Sequence, residues 1–277
     1  MPEAPEMQAL AERLDELLAG KSITGVQPIQ FSALKTFDPP PQEVVGRTIK
    51  RVGRRGKFIS IELEDGRILV HLSQAGRVDV EKPPKATRPK NGVVRFSFEG
   101  PVGVFVKEFG TERKAGWWIL SSGVDGPLEK LGPEATSNDF ARFVMESPDR
   151  RRIHTLLRDQ RTVAGVGRGY SDDILHRARL SPYTALGALS KKERKTLLTA
   201  INEVLDEGLQ TERKRKGGLP TKLGDHWIVH GRSGQPCPRC GDELRRVSYE
   251  SHEVAYCPAC QTDGKILADR RMSRLLR

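Results

Sequence analysis

The chain has 277 residues, 36% of them hydrophobic and 30% charged, which excludes a disordered polypeptide and suits two ordinary domains, or one with a small appendage. Lys and Arg number 47 against 36 Asp and Glu, a formal charge of +11. Such a surplus suits a polyanion, because each cation set against a phosphate releases condensed counterions; the plainer reading is a solvated basic surface. No apolar run approaches a membrane span, and the N-terminus lacks the basic and apolar segments of a signal peptide. A cytoplasmic, nucleoid-associated protein with no membrane partner is expected.

From Glu3 onward, Met7, Leu10, Leu14, Leu17 and Leu18 recur at helical spacing, so an amphipathic helix starts almost at the first residue. Short segments rich in β-branched and aromatic residues follow at 44–52, 58–63, 68–72, 93–98, 102–106 and 117–120. Glu64-Asp65-Gly66 reads as a hairpin turn between two of them. Regular short strands of this kind point to a β-sandwich or barrel.

The composition changes over 121–135, where glycines and prolines suggest a linker. Helical patterns follow: one from the N-cap candidate Ser137, one around 151–157, one after the glycine turn at 165–169, and one opened by the capping box Ser190-x-x-Glu193. Beyond a basic stretch at Arg213-Lys214-Arg215-Lys216 lie all four cysteines. The expected order is a β-rich domain over 1–122, a helical domain over 136–222 and a metal-bound module over 223–277.

The cysteines fall as Cys237-x2-Cys240 and Cys257-x2-Cys260. Two such knuckles place four thiolates around one Zn2+, with room between them for a β-hairpin. A full four-cysteine shell leaves no open position for substrate, so one structural zinc is expected.

Met1-Pro2-Glu3-Ala4-Pro5-Glu6 has two readings. It is either a rigid lead into a helix with acidic residues at the positive end of its dipole, or a nucleophile. Initiator methionine is usually removed before a small residue such as Pro, which would free the secondary amine of Pro2. An α-amine near pKa 8 is unprotonated in about one molecule in ten at neutral pH, far more often than an ordinary lysine. Such an amine can attack a carbonyl or a sugar C1′ to form an iminium. Gly165-Val166-Gly167-Arg168-Gly169-Tyr170 is likewise either a tight turn or a phosphate-binding helix start.

Together these pieces resemble the formamidopyrimidine-DNA glycosylase and endonuclease VIII family. Pro2-Glu3-Ala4-Pro5-Glu6 is similar to that family's opening, and Arg54-Arg55-Gly56-Lys57-Phe58 to its lysine-bearing β-hairpin. His71-Leu72-Ser73-Gln74-Ala75-Gly76 resembles its His-Leu-Gly-Met-Ser-Gly segment, and 159–167 the entry to its helix-two-turn-helix. His230-Gly231-Arg232 before the four-cysteine ribbon closes the match. The resemblance implies an α+β fold: an N-terminal helix with a two-layered β-sandwich, a helix-two-turn-helix domain and a C-terminal zinc ribbon.

It also implies a bifunctional DNA glycosylase with abasic-site lyase activity on damaged, oxidised bases, acting as a monomer. Pro2 would attack C1′, Glu3 would handle protons at the ring oxygen, Lys57 would assist elimination, and Glu6 would help hold the helix. A carboxylate beside the nucleophile can serve as acid or base, and a nearby cation depresses an amine's pKa. His71, Arg113, Arg150, Gly167, Arg168 and Tyr170 fall where the family contacts DNA, and the target base would have to leave the stack.

Departures cluster at DNA-contact positions. Gln74 replaces the family's gap-filling Met, and Arg168-Gly169 replaces Asn-Ile. Its Arg-Phe wedge reads here as Arg113-Lys114-Ala115, without the aromatic, and His252 stands where the ribbon arginine is expected. A non-catalytic, lesion- or structure-binding paralogue on the same scaffold is therefore the second expectation.

Overall fold

The computed structural model describes residues 1–222, 224, 226–249 and 252–268. They form two compact units. The first holds residues 1–130 and 209–222; the second holds 131–208 and the described residues from 224 onward. No described helix is long and apolar enough to cross a membrane.

The first unit opens with helix α1 (Ala4–Leu18). Glu3 is its N-cap, and the reciprocal bonds of a capping box join Glu3 and Glu6. Two four-stranded antiparallel sheets follow. One has the order β1 (Ile23–Pro28), β6 (Gly92–Phe98), β7 (Val102–Glu108), β5 (Gly76–Glu81). The other has β2 (Ile49–Arg55), β3 (Phe58–Leu63), β4 (Gly66–His71), β8 (Gly116–Leu120). Their inner faces share one core with Met7, Leu10, Leu14 and Leu18 of α1, around the fully buried Trp117 and Phe96. The helix is tied to β2 where Val52 N–H donates to Asp15 Oδ1 at 2.6 Å.

Most anticipated strands are present, but the segment at 44–52 is not one strand. A 3-10 turn ends at Val44, Gly46 takes φ 86°, and the strand starts only at Ile49. Two strands had not been foreseen. β1 carries Thr, Gly, Gln and Pro, which blur its pattern. β5 alternates Gly-Arg-Val-Asp-Val-Glu, a legible period of two.

The basic stretch from Arg213 onward lies in the first unit. Arg13 donates to the carbonyls of Glu212, Gly217 and Gly218, and Leu219 pairs with Val78, so the segment folds onto the first unit.

The second unit packs α2 (Asn138–Glu146), α3 (Ile153–Arg158), α4 (Arg168–Arg177) and residues 191–208 of the long α5 (Lys191–Arg213) around Phe140, Leu157, Tyr170 and Ile201. Ser137 caps α2 through Phe140 N–H, and Ser190 and Glu193 form the anticipated box at α5. The hairpin β9 (Arg245–Tyr249) and β10 (His252–Tyr256) lies between the cysteine pairs, followed by the short α6 (Pro258–Gln261).

Candidate active site

The N-terminal residues form a buried, mixed-charge cluster. Pro2 is buried, Glu3 and Glu6 are 2% and 1% exposed, and Lys57 is 5% exposed. Helix α1 aims both carboxylates here, because the capping box turns Glu6 back toward the chain start, with Glu3 N–H donating to Glu6 Oε2 at 2.8 Å. Lys57 arrives from the β2–β3 turn, where Gly56 takes the left-handed φ of 56° that favours glycine. Arg54 braces that turn, donating to Gln8 Oε1 at 3.0 Å and to Gly56 O at 3.1 Å.

The electrostatics suit a reactive amine. Burial holds the Met1 amino group below its ordinary pKa, with Arg77 and Lys57 adding to the depression and Glu3 and Glu6 opposing it. Glu6 is pushed up to about 7 by burial, then by the charge of Glu3. His71 packs on Phe58 with ring centroids 4.6 Å apart. It is pushed down to about 4 by burial, then by Lys57, so it is a neutral imidazole at neutral pH.

Two loops of the first unit meet where Phe109 N–H donates to Ala75 O at 3.2 Å. One exposes Gln74 and the other exposes Arg113. The second loop is held by the buried Glu108, whose carboxylate accepts from Lys114 and Ala115 N–H. The segment Arg113-Lys114-Ala115 carries no aromatic, as read from the sequence. Ala115 is buried, but Phe109, four residues before Arg113, is 51% exposed with the Lys107 ammonium 5.5 Å from its ring centre. The Phe109-Gly110 pair directly after a strand was the signal that could have found it.

In the second unit, Gly167 is the N-cap of α4, and Arg168 and Arg150 are exposed. Tyr170, expected among the DNA-contact residues, keeps its side chain inside the unit. It is fully buried, edge-on to Trp227 at 4.6 Å, with its hydroxyl 3.0 Å from His226 Nε2. Two acids on the same helix were missed. Asp173 accepts from the N–H groups of Ile228, Val229 and His230, and Asp172 Oδ2 lies 2.7 Å from His230 Nδ1. Burial pushes Asp172 up to about 6 and raises Asp173 as well. Beside them Arg168, His230, Ser233 and Arg246 line a polar cavity of about 490 Å3.

The four cysteines converge. Their sulfurs lie within 4.8 Å of one another, with Cys237–Cys260 at 4.0 Å and Cys240–Cys257 at 3.5 Å. Tetrahedral Zn2+ with bonds of about 2.3 Å sets sulfurs about 3.8 Å apart, so the donor set fits such a cation. The side chain of His252 lies outside the described residues; its backbone pairs with Tyr249 at the hairpin end. Arg213 and Arg215 of the basic run are ion-paired with Glu12 and Glu212.

The comparisons with known proteins agree with this architecture. Residues 1–118 match the model of the formamidopyrimidine-DNA glycosylase N-terminal domain, and residues 131–217 match that of its H2TH domain. A formamidopyrimidine-DNA glycosylase of Pelotomaculum thermopropionicum is 31% identical, over 94% of this chain and 99% of its own. An uncharacterized formamidopyrimidine-DNA glycosylase-like protein of Mycobacterium tuberculosis is 42% identical over 53% of this chain and 94% of its own. A crystal structure of the Lactococcus lactis enzyme, bound non-covalently to DNA containing an AP site, has a TM-score of 0.83 at 25% identity, covering 94% of this chain and 99% of that one. The chain belongs to the formamidopyrimidine-DNA glycosylase family.

Proposed function

We propose that this protein is a DNA-repair glycosylase that excises damaged, oxidised bases and cleaves the resulting abasic site through the amine of Pro2. The observation that carries the reading is the common burial of Glu3, Glu6 and Lys57 beside Pro2 at the chain start. With Met1 removed, the Pro2 nitrogen attacks C1′ of the flipped nucleotide while Glu3 delivers a proton to the ring oxygen. The C1′–base bond breaks, and the base leaves with the bonding pair and takes up the proton lost by the Pro2 nitrogen. The C1′–O4′ bond then opens onto the protonated ring oxygen. The resulting iminium acidifies the C2′ proton, whose loss expels the 3′ phosphate, and Lys57 assists that elimination. Phe109 and Gln74 fill the gap left in the stack, and Arg168 and Arg150 hold phosphates. One structural Zn2+ sits on Cys237, Cys240, Cys257 and Cys260, and the protein acts as a cytoplasmic, nucleoid-associated monomer.

Borohydride trapping on abasic-site DNA tests the central step. Untagged protein should give a covalent adduct. An uncleaved N-terminal tag should abolish it, because an amide nitrogen is not nucleophilic. Equal trapping by both forms would assign the attack to another amine, with Lys57 the first candidate. The departures at Gln74 and Arg168 favour a second reading, a lesion- or structure-binding paralogue, which requires DNA binding without any adduct.

A further inference from the structure

β5 is an edge strand. On its outer side, among the described residues, Leu219 pairs with Val78, through Val78 N–H to Leu219 O at 3.4 Å and Leu219 N–H to Val78 O at 2.7 Å. Residues in an antiparallel ladder alternate between turning their backbone groups to one neighbour and to the other. Val78 faces outward, and so does Val80 two positions on. Neither the N–H nor the C=O of Val80 is taken up by another described residue. An open pair of this kind is a template for a further strand.

That pair opens into a groove of about 1000 Å3 within the first unit. Val80 and Pro84, both half-buried, give it apolar lining, with Leu219 buried behind them. The acids along it are committed: Asp79 to Lys107, and Glu81 to Arg95 and the Lys85 backbone N–H. Arg215 is committed to Glu212. What remains at the rim is Lys82, Lys85 and Lys216, all exposed and outside any ion pair among the described residues. The adjoining segment adds Arg88 and Lys90, with no acidic residue between 82 and 90.

These features select an occupant. A second copy of this edge would set lysine against lysine, which is unfavourable across a strand pair. A nucleic acid satisfies the lysines but offers no strand to the N–H and C=O of Val80 and nothing apolar to the lining. An extended acidic polypeptide satisfies all three. We propose that the β5 edge is a docking site for an acidic, extended segment of a partner protein. It adds as a strand in line with Leu219, with carboxylates facing Lys82, Lys85 and Lys216 and alternate apolar side chains on the apolar lining.

The test is fluorescence anisotropy of a labelled peptide alternating Glu and Val, titrated with the full chain. The peptide should bind, more weakly as salt is added. Affinity should fall at least about tenfold when Gln replaces every Glu, and by as much when alternate amides are N-methylated. Lys82→Glu combined with Lys85→Glu should do the same with an unchanged melting curve, and bound peptide should slow hydrogen exchange at Val80. The peptide changes leave the protein intact, so they decide the matter even if the variant folds poorly. No binding, or equal binding of acidic and neutral peptides, would overturn the proposal. So would displacement by undamaged duplex DNA that itself protects Val80, which would make the groove a DNA path.

Discussion

The Nε2 of His176, in the last turn of α4, lies 3.2 Å from the Sγ of Cys237. The imidazole is 3% exposed, and Arg239 fixes the same turn by donating to the carbonyls of His176 and Arg177. An N–H donated to a ligating thiolate orients it and tunes its hold on the metal, and losing such a partner typically lowers metal affinity about 10–100-fold. His176→Ala should therefore release Zn2+ to a chelator that the parent resists, while His176→Gln, which keeps an N–H, loses less. Equal metal retention in all three would reduce His176 to packing.

Glu6 sets a pH dependence on the first unit. Its carboxyl is raised from 4.5 to about 7. Between those values the folded state keeps a proton that the unfolded chain has released, so stability falls as pH rises through that window. The loss amounts to about 3 kcal/mol above pH 7, at about 1.36 kcal/mol per unit. Glu6→Gln keeps an oxygen to accept the Glu3 N–H and removes the charge. The variant should match the parent near pH 5 and resist urea better at pH 8, followed by fluorescence of Trp117 and Trp118. A parent-to-variant difference that does not change with pH would contradict the assignment.

How far the sequence could be read depended on the range of the interaction. Local patterns carried α1, the hairpin around Gly66, the Ser137 and Ser190 caps and the paired cysteines, because caps, turns and knuckles are written within a few residues. Pro2, Glu3, Glu6 and Lys57 were legible one by one, and the structure adds their common burial. The burial of Tyr170 was not legible, because Trp227, which packs edge-on against it, lies 57 positions on. Asp172 and Asp173 were missed for the same reason: their partners are backbone and ring nitrogens 55 to 83 residues away.

His71 should contribute to DNA binding without contributing charge. Burial and Lys57 hold its pKa at about 4, so at neutral pH it would meet a phosphate as a neutral hydrogen-bond donor. His71→Ala should weaken binding to abasic-site DNA while leaving the slope of log affinity against log salt unchanged. Arg168→Ala, which removes an exposed cation, should reduce that slope by about 0.9. A slope that falls with His71→Ala at pH 7.5 would mean the imidazole is protonated in the complex.

Gly169 and Trp227 are coupled by shape. A Cβ on Gly169 would lie 2.5 Å from two atoms of the Trp227 ring, and the indole also touches Gly224, Tyr170 and His226. The bare glycine leaves room for an indole from a distant segment. Gly169→Ala should then cost about 1–3 kcal/mol through overpacking, although alanine ordinarily strengthens a helix by up to about 1 kcal/mol over glycine. Trp227→Ala alone should also destabilise the unit, by about 3–5 kcal/mol, because it leaves a cavity against Tyr170. In the double variant Gly169→Ile with Trp227→Ala, the isoleucine occupies part of that cavity. The two changes together should cost less than the sum of Gly169→Ile alone and Trp227→Ala alone, and a coupling of at least about 1 kcal/mol is expected for residues in direct contact. Urea melts read by far-ultraviolet dichroism of the helical unit give all four corners of the cycle. Additive costs would show that the indole moves aside freely and that glycine at this position answers to something other than Trp227.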